Sequence, residues 1–188
     1  MGTILQNNTV NIFMEYIPGG TIHYLLSSFG SLDEDMTRNF TEQILEGVAY
    51  IHSKGVIHRD IKGKNVMIMH NGIIKLIDFG CAKRLKKNQN SFTDKDQQNN
   101  EILKGTPYWM APEVIRAYGH GPSADIWSIG ATVVEMLTSM PPWGKLSPMA
   151  ALFKIGNYDE PIPELASNFS VEARDLVFKC LQREPHLR

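Results

Sequence analysis

The chain has 188 residues, 43% of them hydrophobic and 21% charged, with a net charge of −1 at neutral pH. These figures fit one globular domain with a sizeable core, and they exclude a strong field for nucleic acid or an anionic membrane. Cys81 and Cys180 are too few for a disulfide framework, no apolar run approaches the ~20 residues that span a bilayer, and the opening MGTILQNNTV carries no leader pattern, so a cytoplasmic address is expected.

In chain order, residues 4–16 read as two short strands around Asn7 and Asn8, with Ile4, Leu5, Val10, Ile12, Phe13 and Met14 supplying apolar surface. Pro18, Gly19 and Gly20 break the second strand. Residues 21–29 suit a short helix, and Ser31 with Glu34 makes a capping box ahead of a longer one. That helix covers about 33–54, because Met36, Phe40, Ile44, Val48 and Ile51 recur at three- and four-residue steps until Gly55 ends it. The runs VMIM and IIKLI then flank Asn71-Gly72, a strong hairpin signal. Residues 83–101 are polar and almost without aliphatic side chains after Leu85, so a mobile loop is expected there, with Lys83, Arg84, Lys86 and Lys87 as a solvated basic face. Ser123 is expected to cap a helix reaching about residue 138 that is apolar nearly all round, hence buried. Ser147 with Pro148 opens another, and Ser170 caps a last one through residue 181. Gly119, Gly121 and Ala124 fit a dinucleotide fingerprint but follow a helical pattern instead of a strand, which removes it.

The chemistry lies between the long helix and the Asn-Gly hairpin, in HRDIKGKN at 58–65. Asp60, two residues before Lys62 and five before Asn65, offers a base, a cation and an oxygen ligand on one loop clamped at both ends. That set suits handing a phosphoryl group to a hydroxyl. A solvated charge run is the bland reading of HRDIK, and a strand followed by a turn is that of DFG at 78–80. Their joint spacing with GTPYWMAPE at 105–113 weighs against both.

HRDIKGKN resembles the catalytic loop of eukaryotic protein kinases, with Ile61 where Leu is commoner. DFG resembles the kinase magnesium motif, GTPYWMAPE the end of an activation segment, and MEYIPGG the hinge. The resemblance spans nearly the whole chain. It implies an α+β protein kinase-like fold, with a mainly helical large lobe over 21–188 and a β-hairpin remnant of the small lobe over 1–20. The further small-lobe strands, the Gly-rich phosphate loop with its strand Lys, and the last large-lobe helix have no counterpart in these residues. The 188 residues alone are therefore expected to bind ATP weakly.

By resemblance, Asp60 accepts the substrate hydroxyl proton, Lys62 neutralises charge on the transferred phosphate, and Asn65 with Asp78 holds Mg2+. Met14 matches the gatekeeper, the backbones of Glu15 and Ile17 face adenine, and Met67 also lies at the nucleotide. Arg59 matches a residue that commonly grips a phosphate on the activation segment, Thr106 belongs to the substrate-facing wall, and Glu113 pairs with Arg188. Ser91 and Thr93, the Ser/Thr hydroxyls between Asp78 and Gly105, are the candidates to carry that phosphate, the bland alternative being ordinary loop residues with dimerisation alone activating the domain. Lys62 and Thr106 match serine/threonine kinases. FMEYIPGG, ILEGVAYIH, HRDIKGKNV and GTPYWMAPEVI are similar to the MEKK-like branch of mitogen-activated protein kinase kinase kinases. That branch implies ATP and Mg2+ as cofactors and a mitogen-activated protein kinase kinase as protein substrate, with neither nucleic acid nor membrane as partner. A catalytically silent kinase-like interaction module is the reading from a different class.

Overall fold

The computed structural model describes residues 2–85, 105–158 and 161–188. Among them, short antiparallel strand pairs and a larger set of helices make the expected α+β architecture. Strand β1 (Gly2–Gln6) pairs with β2 (Thr9–Phe13) through the two-residue turn Asn7-Asn8, whose φ values of 50° and 58° suit the primed turn that matches strand twist. Ile4, Leu5, Val10, Ile12 and Phe13 are each more than half exposed, so the expected apolar surface of this hairpin faces solvent in the chain.

Helix α1 (Ile22–Phe29) starts where the Thr21 hydroxyl accepts the Tyr24 N–H at 3.1 Å. Helix α2 (Glu34–Ser53) corrects the expected cap: Asp33, not Ser31, accepts the first-turn N–H of Met36 at 2.7 Å. Glu34 does not close a capping box either. Its carboxylate accepts from the backbone N–H and the hydroxyl of Ser170, and those bonds hold its pKa below the ordinary glutamate value. Phe40, Ile44 and Val48 are buried as the periodicity requires, while Met36 at the first turn stays open. Gly55, at φ 69°, turns the chain out of the helix.

Strand β3 (Val56–Ile57) leads into the loop at 58–65. Strands β4 (Val66–Ile68) and β5 (Ile74–Leu76) form the Asn-Gly hairpin, with Val66 opposite Leu76. Strand β6 (Lys83–Arg84) pairs back onto β3, so the polar segment begins as a strand and not as a loop. Two residues of backbone pairing need no apolar side chain, which is why composition missed it. Lys86, Lys87, Ser91 and Thr93 lie outside the described residues.

After the short α3 (Pro112–Ile115), helix α4 (Pro122–Thr138) runs through the middle of the body. Gly121 is its N-cap, two positions ahead of the expected Ser123, and Pro122 is its first residue. Pro is favoured there because its missing N–H has no intrahelical partner to lose. Trp127, Ile129 and Met136 are fully buried, and each such burial contributes roughly 1.5–3 kcal/mol. Helices α2 and α6 (Val171–Cys180) both pack against α4. At the α4–α6 crossing a Cβ on Gly130 would fall 2.5 Å from the Cys180 Cβ, so only glycine allows the approach. Helix α5 (Pro148–Gly156) is capped by Ser147 as expected. Among the described residues no helix is long and apolar enough to cross a membrane.

Candidate active site

The loop at 58–65 is held from below by α4. The Asp125 carboxylate, fully buried in the first turn of that helix, accepts the N–H groups of both His58 and Arg59 at 2.9 Å. His52, on the last turn of α2, adds a 2.7 Å contact from Nε2 to the same carboxylate. These bonds keep Arg59 at φ 70°, a left-handed conformation that costs a side-chain-bearing residue on the order of 1–2 kcal/mol. The His58 ring is buried, contacts the Ile77 carbonyl at 3.1 Å and lies 4.8 Å from the Phe79 ring.

With the backbone fixed, four predicted residues meet at one carboxylate. Lys62 Nζ donates to Asp60 Oδ2 at 2.7 Å, Asn65 Nδ2 to the same oxygen at 2.9 Å, and Thr106 Oγ1 to Oδ1 at 2.9 Å. Lys62 also donates to Thr106 at 2.5 Å, and Asn65 Nδ2 to the Asp60 carbonyl at 2.7 Å. Asp60 and Asn65 are buried and Lys62 nearly so. Chemically this is a proton-accepting oxygen locked beside an ammonium, which suits abstracting a proton while an anionic group is neutralised.

A second carboxylate from α4 holds the loop at Gly63. Glu135, 2% exposed, accepts the Gly63 N–H at 2.9 Å and the Trp109 indole N–H at 3.2 Å, with His23 Nδ1 at 3.5 Å. Burial raises its pKa above the ordinary carboxylate value, partly offset by the Gly63 N–H. A Cβ on residue 63 would sit 2.8–3.0 Å from this carboxyl group, so glycine is required.

Asp78 is placed differently. It sits in the left-handed region at φ 60° after β5, accepts the Gly80 N–H at 3.2 Å, and is exposed. The Asn65 carbonyl accepts the Ile77 N–H at 3.0 Å, which ties the two segments together. Asn65 uses its amide nitrogen on Asp60, so its side-chain oxygen is what it has to offer a cation. Two hard oxygens on neighbouring segments fit Mg2+, which is commonly held by one or two protein carboxylates or carbonyls together with substrate phosphates.

Met14 and Glu15 are exposed, Ile17 is half-buried, and Met67 on β4 is half-buried with a bridge to Thr21. Arg59 donates from Nε to the Cys81 carbonyl at 2.5 Å, while its expected phosphate carriers Ser91 and Thr93 lie outside the described residues. Glu113 is buried and ion-paired with Arg188, whose other guanidinium nitrogen reaches the Gln182 carbonyl at 2.8 Å.

Sequence reading missed His52, Asp125 and Glu135. A signal existed for the last two, since they are the only carboxylates in an otherwise apolar helix, and a buried carboxylate must find donors.

Residues 1–188 match the family model of the protein kinase domain. Relatives include mitogen-activated protein kinase kinase kinase 19 of Homo sapiens, 52% identical over 100% of this chain and 14% of that protein. Mitogen-activated protein kinase kinase kinase 2 of Arabidopsis thaliana is 44% identical and mitogen-activated protein kinase kinase kinase A of Dictyostelium discoideum 43%. Each again covers the whole chain, which spans 28% and 19% of them. The chain therefore spans less than a third of the length of these relatives.

Proposed function

Since the chain belongs to the protein kinase family, we propose that it supplies the catalytic loop and acceptor side of an ATP-dependent serine/threonine protein kinase. Protein kinases generally use ATP with Mg2+. In this reading Asp60 orients the acceptor hydroxyl and takes its proton as the oxygen attacks the γ-phosphorus in line; the phosphorus–oxygen bond to ADP breaks, and ADP leaves. Lys62 neutralises charge on the phosphoryl group in transfer. Thr106, which bonds both residues, holds them in register on the acceptor side. Asn65 and Asp78 would hold Mg2+, which neutralises phosphate charge when bound. The backbones of Glu15 and Ile17 line the adenine edge, beside gatekeeper Met14, and Met67 forms its floor.

The acceptor is a protein serine or threonine, and by the names of the relatives a mitogen-activated protein kinase kinase. A cytoplasmic site of action fits such a cascade. The observation that carries the reading is the convergence of Lys62, Asn65 and Thr106 on the Asp60 carboxylate within 2.9 Å. In the full-length protein, Asp60→Asn is expected to abolish phosphoryl transfer to an acceptor protein while Mg·ATP binding stays near the parent's. Transfer by that variant at the parent's rate overturns the assignment.

A further inference from the structure

One contact beside the adenine edge has no part in that reading. Lys75 Nζ donates to both carboxylate oxygens of Glu15, at 2.5 and 2.6 Å, across 60 residues of sequence. Lys75 is the middle residue of β5, directly opposite Met67 of β4, and the same chain runs on through Leu76 and Ile77 to Asp78. One ammonium thus joins the edge at 15–17 to the strand that delivers the second metal-ligand candidate.

The rest of the edge is fixed by backbone. A Cβ on Gly19 would fall 2.0 Å from the Ile68 carbonyl oxygen, so this residue lies flush on β4. The Gly20 carbonyl accepts the Ile68 N–H at 2.8 Å, and Thr21 bridges to Met67. These contacts anchor 19–21. Ahead of them Met14 and Tyr16 are 75% and 84% exposed, and the backbone of 14–17 belongs to neither strand nor helix.

We propose that Glu15 and Lys75 are a positioning pair for the nucleotide: a latch that sets the spacing between the edge at 15–17 and the β4–β5 floor. The inference rests on the proposed ATP site. Its physical content is preorganisation, because an edge held at the right spacing does not have to be ordered when the ligand arrives. Both side chains are partly exposed, so the effect is that of a surface ion pair, modest and screened by salt.

The test is calorimetric titration of Mg·ATP into full-length protein at low and high salt. Parent, Glu15→Ala, Lys75→Ala and the exchanged Glu15→Lys, Lys75→Glu double variant are compared, each with its melting temperature. Either single change is expected to weaken binding about two- to fivefold at low salt, with the exchanged pair recovering most of the loss and high salt erasing the difference. Unchanged affinity in both single variants, with or without a lowered melting temperature, overturns the latch. So does an exchanged pair as weak as the singles. A parent that binds no nucleotide overturns the proposed function itself, and the latch with it.

Discussion

The loop at 58–65 and the hairpin at 2–13 lie at opposite ends of a scale of determination. The loop holds the residues to which the proposed chemistry is assigned, yet its shape is imposed by groups from elsewhere: Asp125 holds its entry, Glu135 its middle and Thr106 its carboxylate. The hairpin makes its own shape through a two-residue turn and five residue pairs, and almost nothing else touches it. Polar loops reach catalytic precision by being buried and over-bonded, whereas a self-sufficient strand pair leaves its apolar side chains open.

The sharpest way to break this contrast is Asp125→Ala, which strands three donors around a fully buried site. A loss of about 5 kcal/mol is expected in chemical denaturation, with phosphoryl transfer abolished. Arg188→Ala leaves the buried Glu113 carboxylate without its cation and is expected to cost about 3 kcal/mol; a melting temperature within a degree of the parent's would place the pair in solvent.

Gly63→Ala pushes a methyl group into the Glu135 carboxyl, at roughly 1–3 kcal/mol by overpacking. Glu135→Ala in the same chain should relieve most of that cost, measured as a double-mutant cycle.

The same carboxyl gives the contrast a pH dependence. Burial raises the Glu135 pKa above 4.5, so the folded state binds this proton more tightly than the unfolded chain. Its contribution is then fully present below pH 4.5 and is lost as pH rises through the raised value. The stability difference between parent and Glu135→Gln should accordingly shift against the parent as pH rises through that window; a pH-independent difference refutes the burial argument. At the low end of the scale, Ile12→Ser in the 188-residue chain should change stability by less than about 0.5 kcal/mol, since Ile12 is 65% exposed.

What the sequence revealed and what it hid follow from distance along the chain. The α2 stripe, the Asn-Gly hairpin and the Ser147 and Ser170 caps are local patterns, and the structure has them where they were expected. The Asp60, Lys62, Asn65 cluster is local too, and its spacing alone put three side chains within reach. Asp125 meets His58 across 67 residues and Glu135 meets Gly63 across 72, and no periodicity encodes such a meeting. The capping-box misassignment has the same origin: Glu34 found a stronger partner in Ser170, 136 residues away, and Asp33 took the local duty.

Those long separations also order events in time. A ribosome releases His58, Arg59 and Asp60 well before it reaches Asp125, so for that interval the nascent chain holds every letter of the loop and none of its geometry. Closing so wide a span is a slow step compared with winding α2 or turning the Asn-Gly hairpin. Any transcript that stops ahead of the central helix would thus encode a recognisable kinase signature without the Asp125 carboxylate that holds Arg59 in its left-handed turn.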